Sequence, residues 1–205
     1  MTYIVALTGG IGCGKTTVSN LFEERDIETI DADEIAHTIT KPGEAGYEKV
    51  VTAFGPEYLK HDNSIDRKKL RQLIFQNNNA KTQLESLLHP IIKDQIDSFI
   101  NSASSPFVIV GIPLLLENGT NFSSDRVLII DCPPQMQINR VKLRSGLKTE
   151  EVHRIIRAQV TRTKRLEFAD DLIKNVGDID NLRSKVDFLH NIYLNLAFHK
   201  SNYCE

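Results

Sequence analysis

The glycine-rich stretch near the amino terminus constrains the fold of this chain more than any other feature. An apolar run of strand type over residues 3–7 leads into Thr8-Gly9-Gly10-Ile11-Gly12-Cys13-Gly14-Lys15-Thr16-Thr17, and a helical pattern follows from Val18. The fixed positions of the phosphate-binding motif G-x-x-x-x-G-K-S/T are filled by Gly9, Gly14, Lys15 and Thr16. Inward-turned backbone N–H groups and a helix N-terminus make such a loop an anion site. The sequence therefore predicts a strand, a phosphate loop and a helix in succession.

The residue types within the loop predict how it would hold a nucleoside triphosphate. Glycines permit backbone dihedrals that side chains forbid, so the N–H groups can point at phosphate oxygens. Lys15 is expected to reach the β- and γ-phosphates, and the Thr16 hydroxyl is expected to bind Mg²⁺. The predicted ATP-binding residues of the loop are Gly9, Gly10, Gly12, Cys13, Gly14, Lys15, Thr16 and Thr17.

Composition and charge narrow the class of protein. The chain has 205 residues, of which 40% are hydrophobic and 25% charged, values typical of one globular domain. A formal net charge of -2 provides no global basic field for nucleic acid. No window approaches about 18 consecutive apolar residues, and no basic region precedes an apolar signal core. We therefore expect a cytoplasmic protein without a membrane span, as a monomer or small homo-oligomer.

Cysteine and histidine spacing argues against a disulfide framework and against a zinc site. The cysteines Cys13, Cys132 and Cys204 are far apart and form no C-x-x-C pair. Cys13 occupies a variable position of the phosphate loop, where the sequence favours a small packed side chain over a redox role. The histidines form no H-x-x-x-H pair.

The rest of the chain alternates apolar strand patterns with amphipathic helix patterns. Further strands are predicted at residues 27–30, 107–112, 126–131 and 171–176. The nearly continuous apolar runs of two of them are typical of strands buried on both faces, as in a parallel sheet. We therefore predict an α/β fold of the phosphate-loop NTPase type, with three layers, α/β/α, around a parallel five-stranded sheet.

Two helical regions interrupt this alternation within a single domain that covers residues 1–205. The stretch 40–103 is too long for a simple crossover between strands and is predicted to be a helical, substrate-binding insertion. Within it, Pro90 should end or bend a helix. Residues 135–166 are helical and strongly basic, and they are predicted to form a lid. The predicted nucleotide-binding core comprises residues 1–39, 104–134 and 167–205.

Two aspartates follow the second predicted strand. Asp31 and Asp33 are two residues apart, so on an extended backbone they point to one side. Ligands of open α/β sheets bind beyond the carboxyl ends of the strands, where the phosphate loop, these aspartates and residues 113–117 all fall. A carboxylate at this position can hold Mg²⁺ or accept a proton from a substrate hydroxyl. The alternative is that one aspartate only caps the next helix.

Arg140 and Arg144 are four residues apart on a predicted helix and therefore share a face. Arginines clamp the charge that spreads over a phosphoryl group during its transfer, often from a mobile lid. The alternative, for the basic run as a whole, is a solvated helix face. Aromatic interleaving is nearly absent, which disfavours nucleic-acid binding by this run.

Two further residues are candidates for substrate contacts. His89, in Leu-His-Pro, can contact a substrate phosphate, or it can bond to backbone at a helix end. Glu117, which follows the apolar run at residues 107–112, can bind substrate, or it can cap a helix or form an ion pair.

Taken in order along the chain, these motifs resemble the dephospho-coenzyme A kinase family over roughly residues 3–197. The motifs that carry the resemblance are Leu7-Thr8-Gly9-Gly10-Ile11-Gly12-Cys13-Gly14-Lys15-Thr16-Thr17, Asp31-Ala32-Asp33, Leu88-His89-Pro90, Pro113-Leu114-Leu115-Leu116-Glu117, Arg140-x-x-x-Arg144, Ala158-Gln159 ahead of Arg165, and Ala169-Asp170-Asp171-Leu172-Ile173-Lys174-Asn175. Cys13 and Thr16 stand where serines are common in the family. Thr16 keeps the hydroxyl, and Cys13 keeps its backbone N–H.

The resemblance implies phosphorylation of the ribose 3′-hydroxyl of dephospho-CoA by ATP with Mg²⁺, the last step of coenzyme A synthesis. By analogy Asp33 is the base and a Mg²⁺ ligand together with Thr16, and Asp31 lies near the substrate. Lys15, Arg140 and Arg144 act on the transferred phosphoryl group. The insertion resembles the family's CoA-binding part, with His89 near the substrate. Asn175 resembles the residue near the adenine of ATP.

Three other functions fit parts of the sequence. A kinase of another small acceptor, such as a nucleoside monophosphate, would share the loop and lid. A GTP-dependent switch is disfavoured because the chain lacks Asn-Lys-x-Asp and any Asp-x-x-Gly. A nucleic-acid binder would have to use the basic run and would show steep salt dependence.

Overall fold

The computed structural model describes residues 2–113, 115–116 and 122–203 as nine α-helices, one 3-10 turn and five strands. In chain order they are β1 (Tyr3–Gly9), α1 (Lys15–Glu23), β2 (Thr29–Asp31), α2 (Ala32–Ile39), α3 (Ala45–Phe54), the 3-10 turn Pro56–Tyr58, α4 (Arg67–Gln76), α5 (Asn78–Ser102), β3 (Phe107–Gly111), β4 (Arg126–Asp131), α6 (Pro134–Ser145), α7 (Thr149–Ala158), α8 (Arg162–Glu167), β5 (Asp171–Lys174) and α9 (Ile179–Tyr203). No helix in these ranges is both long and apolar enough to cross a membrane. The chain divides into two compact units, one formed by residues 1–31 and 100–205, the other by Ala32–Phe99.

The larger unit is built on a five-stranded sheet in the order β2-β3-β1-β4-β5, with every neighbouring pair parallel. At the centre, Val5 of β1 pairs with Ile109 of β3 on one side and Arg126 of β4 on the other. The predicted α/β fold with a parallel five-stranded sheet is therefore confirmed.

The core of this unit lies between the sheet and the helices packed on it. Both β1 and β3 are buried over nearly their whole length, which explains why their sequences are continuously apolar rather than alternating. Helices α1 and α9 pack against each other and against β1 and β3. Between them the rings of Phe22, Phe107 and Tyr193 meet with centroids 5.5–6.2 Å apart, a geometry in which aromatic pairs add to the stability of the core.

The carboxyl ends of all five strands lie at one edge of the sheet because the strands are parallel. In register, Gly9 at the end of β1 pairs with Ile130 of β4, and Asp31 at the end of β2 pairs with Gly111 of β3. The phosphate loop leaves β1 at this edge. A ligand bound by the loop would therefore also face the residues that follow the other strands.

The unit Ala32–Phe99 is helical and has a small core of its own. Its buried residues come from α3, the turn before α4, and the helices α4 and α5: Val50, Phe54, Ile65, Leu70 and Ala80. Asp66 caps α4, since its side chain accepts hydrogen bonds from the backbone N–H groups of Lys68 and Lys69 at 3.1 and 3.0 Å.

Several element bounds differ from those expected from the sequence. The expectation for Pro90 was that it would end or bend a helix; helix α5 continues through it, so the helix does not end there. A proline removes one backbone hydrogen bond, a cost of about 3 kcal/mol that a helix of 25 residues can carry. Strand β2 begins at Thr29 rather than at Ile27, because Ile27 closes the turn after α1 by donating to the Phe22 carbonyl at 3.2 Å. The basic region, residues 135–166, lies in three helices, α6, α7 and α8. They are separated by breaks at residues 146–148 and 159–161.

Candidate nucleotide-binding site

The phosphate loop begins at the end of β1, where Gly9 pairs with Ile130 of β4. A Cβ atom on Gly9 would lie 2.3 Å from the carbonyl oxygen of Ile130, and Gly9 has a φ of +154°. Only a glycine fits between the two strands at this point. The loop then turns, with the Cys13 N–H donating to the Gly10 carbonyl at 3.2 Å.

The loop ends at Gly14, which is the N-cap of α1 in the left-handed conformation, with φ +97°. A Cβ atom here would lie 2.4 Å from Nδ2 of Asn175. Because glycine carries no side chain, no cap covers the backbone N–H groups of the first turn of α1. These groups and the helix dipole therefore favour an anion at this end of the helix.

The charged and hydroxyl side chains that the sequence predicted lie at the start of α1. The half-buried Lys15 donates from Nζ to the Gly9 carbonyl at 2.9 Å, so its ammonium group folds back over the loop. Thr16 and Thr17 are exposed in the first turn. The larger unit thus brings together the loop glycines, Cys13, Lys15, Thr16 and Thr17, as expected from the sequence.

Three side-chain amides hold the backbone of the loop in place. Gln137 of α6 donates from Nε2 to the Ile11 carbonyl at 2.8 Å, and Gln159 accepts from the Ile11 N–H at 3.0 Å. Asn175 donates from Nδ2 to the Cys13 carbonyl at 2.8 Å. Gln137 and Asn175 are both buried. The loop conformation is therefore fixed by groups from elements far along the chain.

A buried arginine also lies against the loop. Arg165 of α8 is only 7% exposed, and its Nη2 donates to the Val160 carbonyl at 2.8 Å. A Cβ atom on Gly10 would lie 3.0 Å from Nη1 of Arg165. The guanidinium group therefore adds positive charge beside the phosphate loop.

The two arginines predicted to act on the phosphoryl group lie one turn apart on α6. Arg144 is exposed, whereas Arg140 is partly buried. Nη1 of Arg140 is fully buried, and within the part of the chain that the structure describes it has no hydrogen-bond partner. A buried donor without a partner is energetically costly, so this atom is suited to bind an anionic ligand.

An ion pair links the end of β4 to the last helix of the basic region. Arg162 of α8 binds both carboxylate oxygens of Asp131, through Nη2 at 2.7 Å and Nε at 2.9 Å. Asp131 is 4% exposed. The bond to Asp131 raises the pKa of Arg162 above its already high value, so the guanidinium stays charged throughout the physiological range.

The remaining candidates are Asp31 at the end of β2, Asp33 and His89 in the helical unit, and Glu117. Asp31 ends β2, and Oδ2 of its carboxylate lies 3.2 Å from where a Cβ atom on Gly111 would be. Asp33 is exposed in the first turn of α2, and His89 is exposed on α5, both in the unit Ala32–Phe99. Glu117 lies outside the described residues.

Five residues that contact the loop or end the strand beside it have no role predicted from the sequence. They are Gln137, Gln159, Arg165, Asp131 and Cys132. Gln159 and Arg165 belong to motifs that carried the family resemblance, but the motifs alone gave them no function. Asp131 ends a buried parallel strand, and the strand-end rule that selected Asp31 would also have selected it.

Comparison with known proteins supports the same family as the sequence motifs. The family model for dephospho-CoA kinase matches residues 3–181. A dephospho-CoA kinase from Methylococcus capsulatus is 42% identical over 194 residues, which cover 95% of this chain and 98% of the relative.

Solved structures show the same similarity. A dephospho-CoA kinase from Campylobacter jejuni superposes with a TM-score of 0.65 at 29% identity and covers 93% of this chain and 96% of its own. The protein TT1252 from Thermus thermophilus superposes with a TM-score of 0.82, also at 29% identity, over 93% of this chain and 97% of its own. With a phosphate loop at the carboxyl edge of a parallel sheet and a family model matched over most of its length, this chain belongs to the dephospho-CoA kinase family.

Proposed function

We propose that this chain carries out the reaction of its family with the residues gathered at the carboxyl edge of the sheet. The reaction is transfer of the terminal phosphoryl group of ATP to the ribose 3′-hydroxyl of dephospho-CoA, which yields CoA and ADP. The observation that carries the proposal is the phosphate loop, whose backbone is held by hydrogen bonds to the side-chain amides of Gln137, Gln159 and Asn175.

The loop binds the phosphates of ATP through its backbone N–H groups and the N-terminus of α1. Lys15, which donates to the Gly9 carbonyl, turns to the β- and γ-phosphates, since hydrogen bonds to a charged acceptor are stronger than those to a neutral carbonyl. Asn175, which already contacts the loop, is proposed to lie near the adenine as in the family.

The residues proposed to hold Mg²⁺ offer the oxygen donors that this ion prefers. They are the Thr16 hydroxyl and the Asp33 carboxylate, both exposed. Few protein ligands are needed, because Mg²⁺ keeps waters and binds substrate phosphates. When bound, the ion neutralises charge on the phosphate oxygens.

Asp33 is proposed as the base that accepts the proton of the 3′-hydroxyl. Its carboxylate is exposed at the start of α2, and its motif Asp31-Ala32-Asp33 matches the family. Asp31 is proposed to contact the acceptor. The simple capping role would leave Asp33 dispensable for turnover, so a substitution distinguishes the two.

Arg140 and Arg144 are proposed to stabilise the charge on the transferring phosphoryl group. Nη1 of Arg140 is buried and lacks a partner among the described residues, so a phosphoryl oxygen would complete its hydrogen bonding. Arg144 is exposed one turn away and would reach the same group when residues 135–166 close as a lid.

The acceptor is proposed to bind through the helical insertion of residues 40–103, with contacts from His89 and from Glu117. We propose that the protein is a monomer or small homo-oligomer in the cytoplasm. Partners other than ATP and dephospho-CoA are not part of the proposal.

The test is ADP release in a coupled assay with Mg²⁺, ATP and a panel of acceptors. We expect turnover with dephospho-CoA and little with nucleoside monophosphates; the reverse preference would replace the proposed acceptor.

Asp33→Asn should retain ATP binding and lose most turnover, about 10²-fold or more. The matched control is Glu34→Gln, an exposed neighbour in the same first turn, which should keep normal turnover. A normal kcat in Asp33→Asn would remove it as the base.

A further inference from the structure

Two cysteine thiols meet directly behind the phosphate loop. Cys13 belongs to the loop, and Cys132 follows the last residue of β4; they are separated by 119 residues of sequence. Their sulfur atoms are 3.3 Å apart. Each residue is only 1% exposed. The sequence predicts a packing role for Cys13, but no sequence pattern predicts that a second thiol lies against it.

The surroundings fix the two sulfur atoms in facing positions. Gln137 donates from Nε2 to Sγ of Cys13 at 3.4 Å, and Sγ of Cys132 lies 3.9 Å from the Gly12 carbonyl. The backbone on both sides is also held, because the Cys13 carbonyl accepts from Asn175. The thiols therefore face each other in the folded chain and do not depend on a chance encounter of mobile segments.

The electrostatic setting favours a thiolate on Cys13 and a thiol on Cys132. The hydrogen bond from Cys132 lowers the pKa of Cys13 to about 7, with help from the Lys15 ammonium and against the opposing effect of burial. The hydrogen bond to Cys13 and burial together raise the pKa of Cys132. A thiolate beside a thiol is the arrangement from which disulfides form through a sulfenic acid.

We propose that Cys13 and Cys132 are a site of reversible oxidation, at which a peroxide converts the two thiols into an intramolecular disulfide. The Cys13 thiolate attacks one oxygen of the peroxide, the O–O bond breaks, and Cys13 becomes a sulfenic acid while hydroxide, or an alkoxide, leaves. The Cys132 sulfur then attacks the Cys13 sulfur, the S–O bond breaks, and water leaves with the Cys132 proton. The two sulfurs lose two electrons in total, and the peroxide gains them. An external dithiol reverses the step by thiol–disulfide exchange.

Oxidation should disable the phosphate loop, an expectation that rests on the proposed function. A disulfide requires the sulfur atoms to approach by roughly 1 Å, to about 2.05 Å. Cys13 would move toward β4 and would shift the loop backbone on either side of it, including Gly14 at the start of α1 and the turn that the Cys13 N–H closes on the Gly10 carbonyl. Displacements of about 1 Å in a positioned site can cost up to about 10²-fold. We expect ATP affinity to fall tenfold or more in the oxidised protein.

The first test identifies the bond itself and does not require ATP. The full chain is treated with hydrogen peroxide, quenched with an alkylating reagent and digested with trypsin, which separates the cysteines into peptides 1–15, 127–140 and 201–205. We expect a linked species of peptides 1–15 and 127–140, two hydrogens lighter than their sum and lost on treatment with dithiothreitol. Free alkylated Cys13 and Cys132 at a peroxide dose that oxidises Cys204 would overturn the proposal, as would sulfinic acid on Cys13 without the link.

The second test measures the consequence with matched variants. In the wild type and in Cys204→Ser, peroxide should weaken ATP binding tenfold or more, and dithiothreitol should restore it. Cys132→Ser keeps Cys13 in the loop and should bind ATP normally before peroxide; after peroxide it can form no disulfide, so its loss of ATP affinity should be smaller than that of the wild type. Equal peroxide sensitivity in Cys132→Ser would rule out the disulfide as the cause. If the reduced wild type itself bound no ATP, the proposed kinase function would fail, while the peptide linkage would still be decided by the first test.

Discussion

The phosphate loop and the arginine-bearing helices that follow β4 differ in how their polar groups are satisfied. In the loop, both polar backbone groups of Ile11 and the carbonyl of Cys13 are bonded to side-chain amides, two of which are buried. On α6, by contrast, Arg144 is exposed and Nη1 of Arg140 is buried without a partner among the described residues. The loop backbone is therefore held in place by the chain's own side chains, whereas Arg140 retains hydrogen-bonding capacity.

This difference matches what the two regions would do in phosphoryl transfer. A ground-state phosphate site gains affinity when its donors are already oriented, because no ordering cost remains on binding. Groups that act on the transferring phosphoryl should gain their contacts in the transition state, since only such contacts raise kcat. We therefore expect damage to the loop to appear in ATP binding and damage to the arginines to appear in the chemical step.

The largest expected effect is at Gly14. Gly14→Ala would place a Cβ atom 2.4 Å from Nδ2 of Asn175 at a φ of +97°, so the loop must shift and ATP affinity should fall at least about 10²-fold. The control is Gly146→Ala, which also has a positive φ, +65°, but meets nothing within 4 Å. It should lower stability by about 1 kcal/mol and leave ATP affinity unchanged. Titration calorimetry measures the two ATP affinities. Equal values in the two variants would show that the backbone of the loop does not determine ATP affinity.

The next effect should appear in the chemical step. Arg140→Ala should slow phosphoryl transfer in a single turnover by about 10²-fold, while the Kd for ATP changes by less than about threefold. Lys142→Ala, an exposed substitution on the same helix, serves as the control and should leave both values unchanged. Rapid-quench kinetics with saturating ATP separates the two quantities. An unaltered transfer rate in Arg140→Ala would place this arginine outside the transition state.

A smaller effect on binding is expected from the amide that supports the loop. Gln137→Ala removes the donor to the Ile11 carbonyl, which should weaken ATP binding about five- to tenfold and lower the free energy of unfolding by about 1–2 kcal/mol. Gln135→Ala, exposed on the same helix, controls for helix propensity and should change neither. If ATP affinity in Gln137→Ala equals that of the wild type, the loop does not depend on this amide for its organisation.

The smallest effect on ATP binding should come from the ion pair at the end of β4. Arg162→Ala removes a guanidinium whose side chain is 49% exposed, but it leaves the Asp131 carboxylate, 5% exposed, without its cation, so the free energy of unfolding should fall by about 3 kcal/mol. ATP affinity should stay within twofold, because Arg162 contacts Asp131 rather than the loop. Urea denaturation and ATP titration give the two values, with Lys164→Ala as an exposed control on the same helix. A large loss of ATP affinity would instead make Arg162 part of the nucleotide site.

Much of the sheet could be predicted from the sequence because its signals are local. The apolar run at residues 126–131 became β4 with the predicted bounds, and the run from Phe107 became β3. Less regular stretches were harder to predict. The turn that follows α1, with Asp26 at a φ of +59°, delays the start of β2, and α5 continues through Pro90. In the turn, backbone contacts outweigh the strand preference of Ile27. In α5, the length of the helix outweighs the tendency of one proline to end it.

The sequence by itself determined the phosphate loop, since the glycines, Lys15 and Thr16 are contiguous and their backbone requirements are local. It also determined the family, through short motifs whose order along the chain is specific. Only the tertiary structure decided what supports the loop. Gln137, Gln159 and Asn175 are 126, 148 and 162 residues away from the loop residues they contact. The facing thiols of Cys13 and Cys132 are likewise 119 residues apart in sequence. Contacts of this range depend on the parallel sheet bringing distant strand ends to one edge, and no local pattern encodes them.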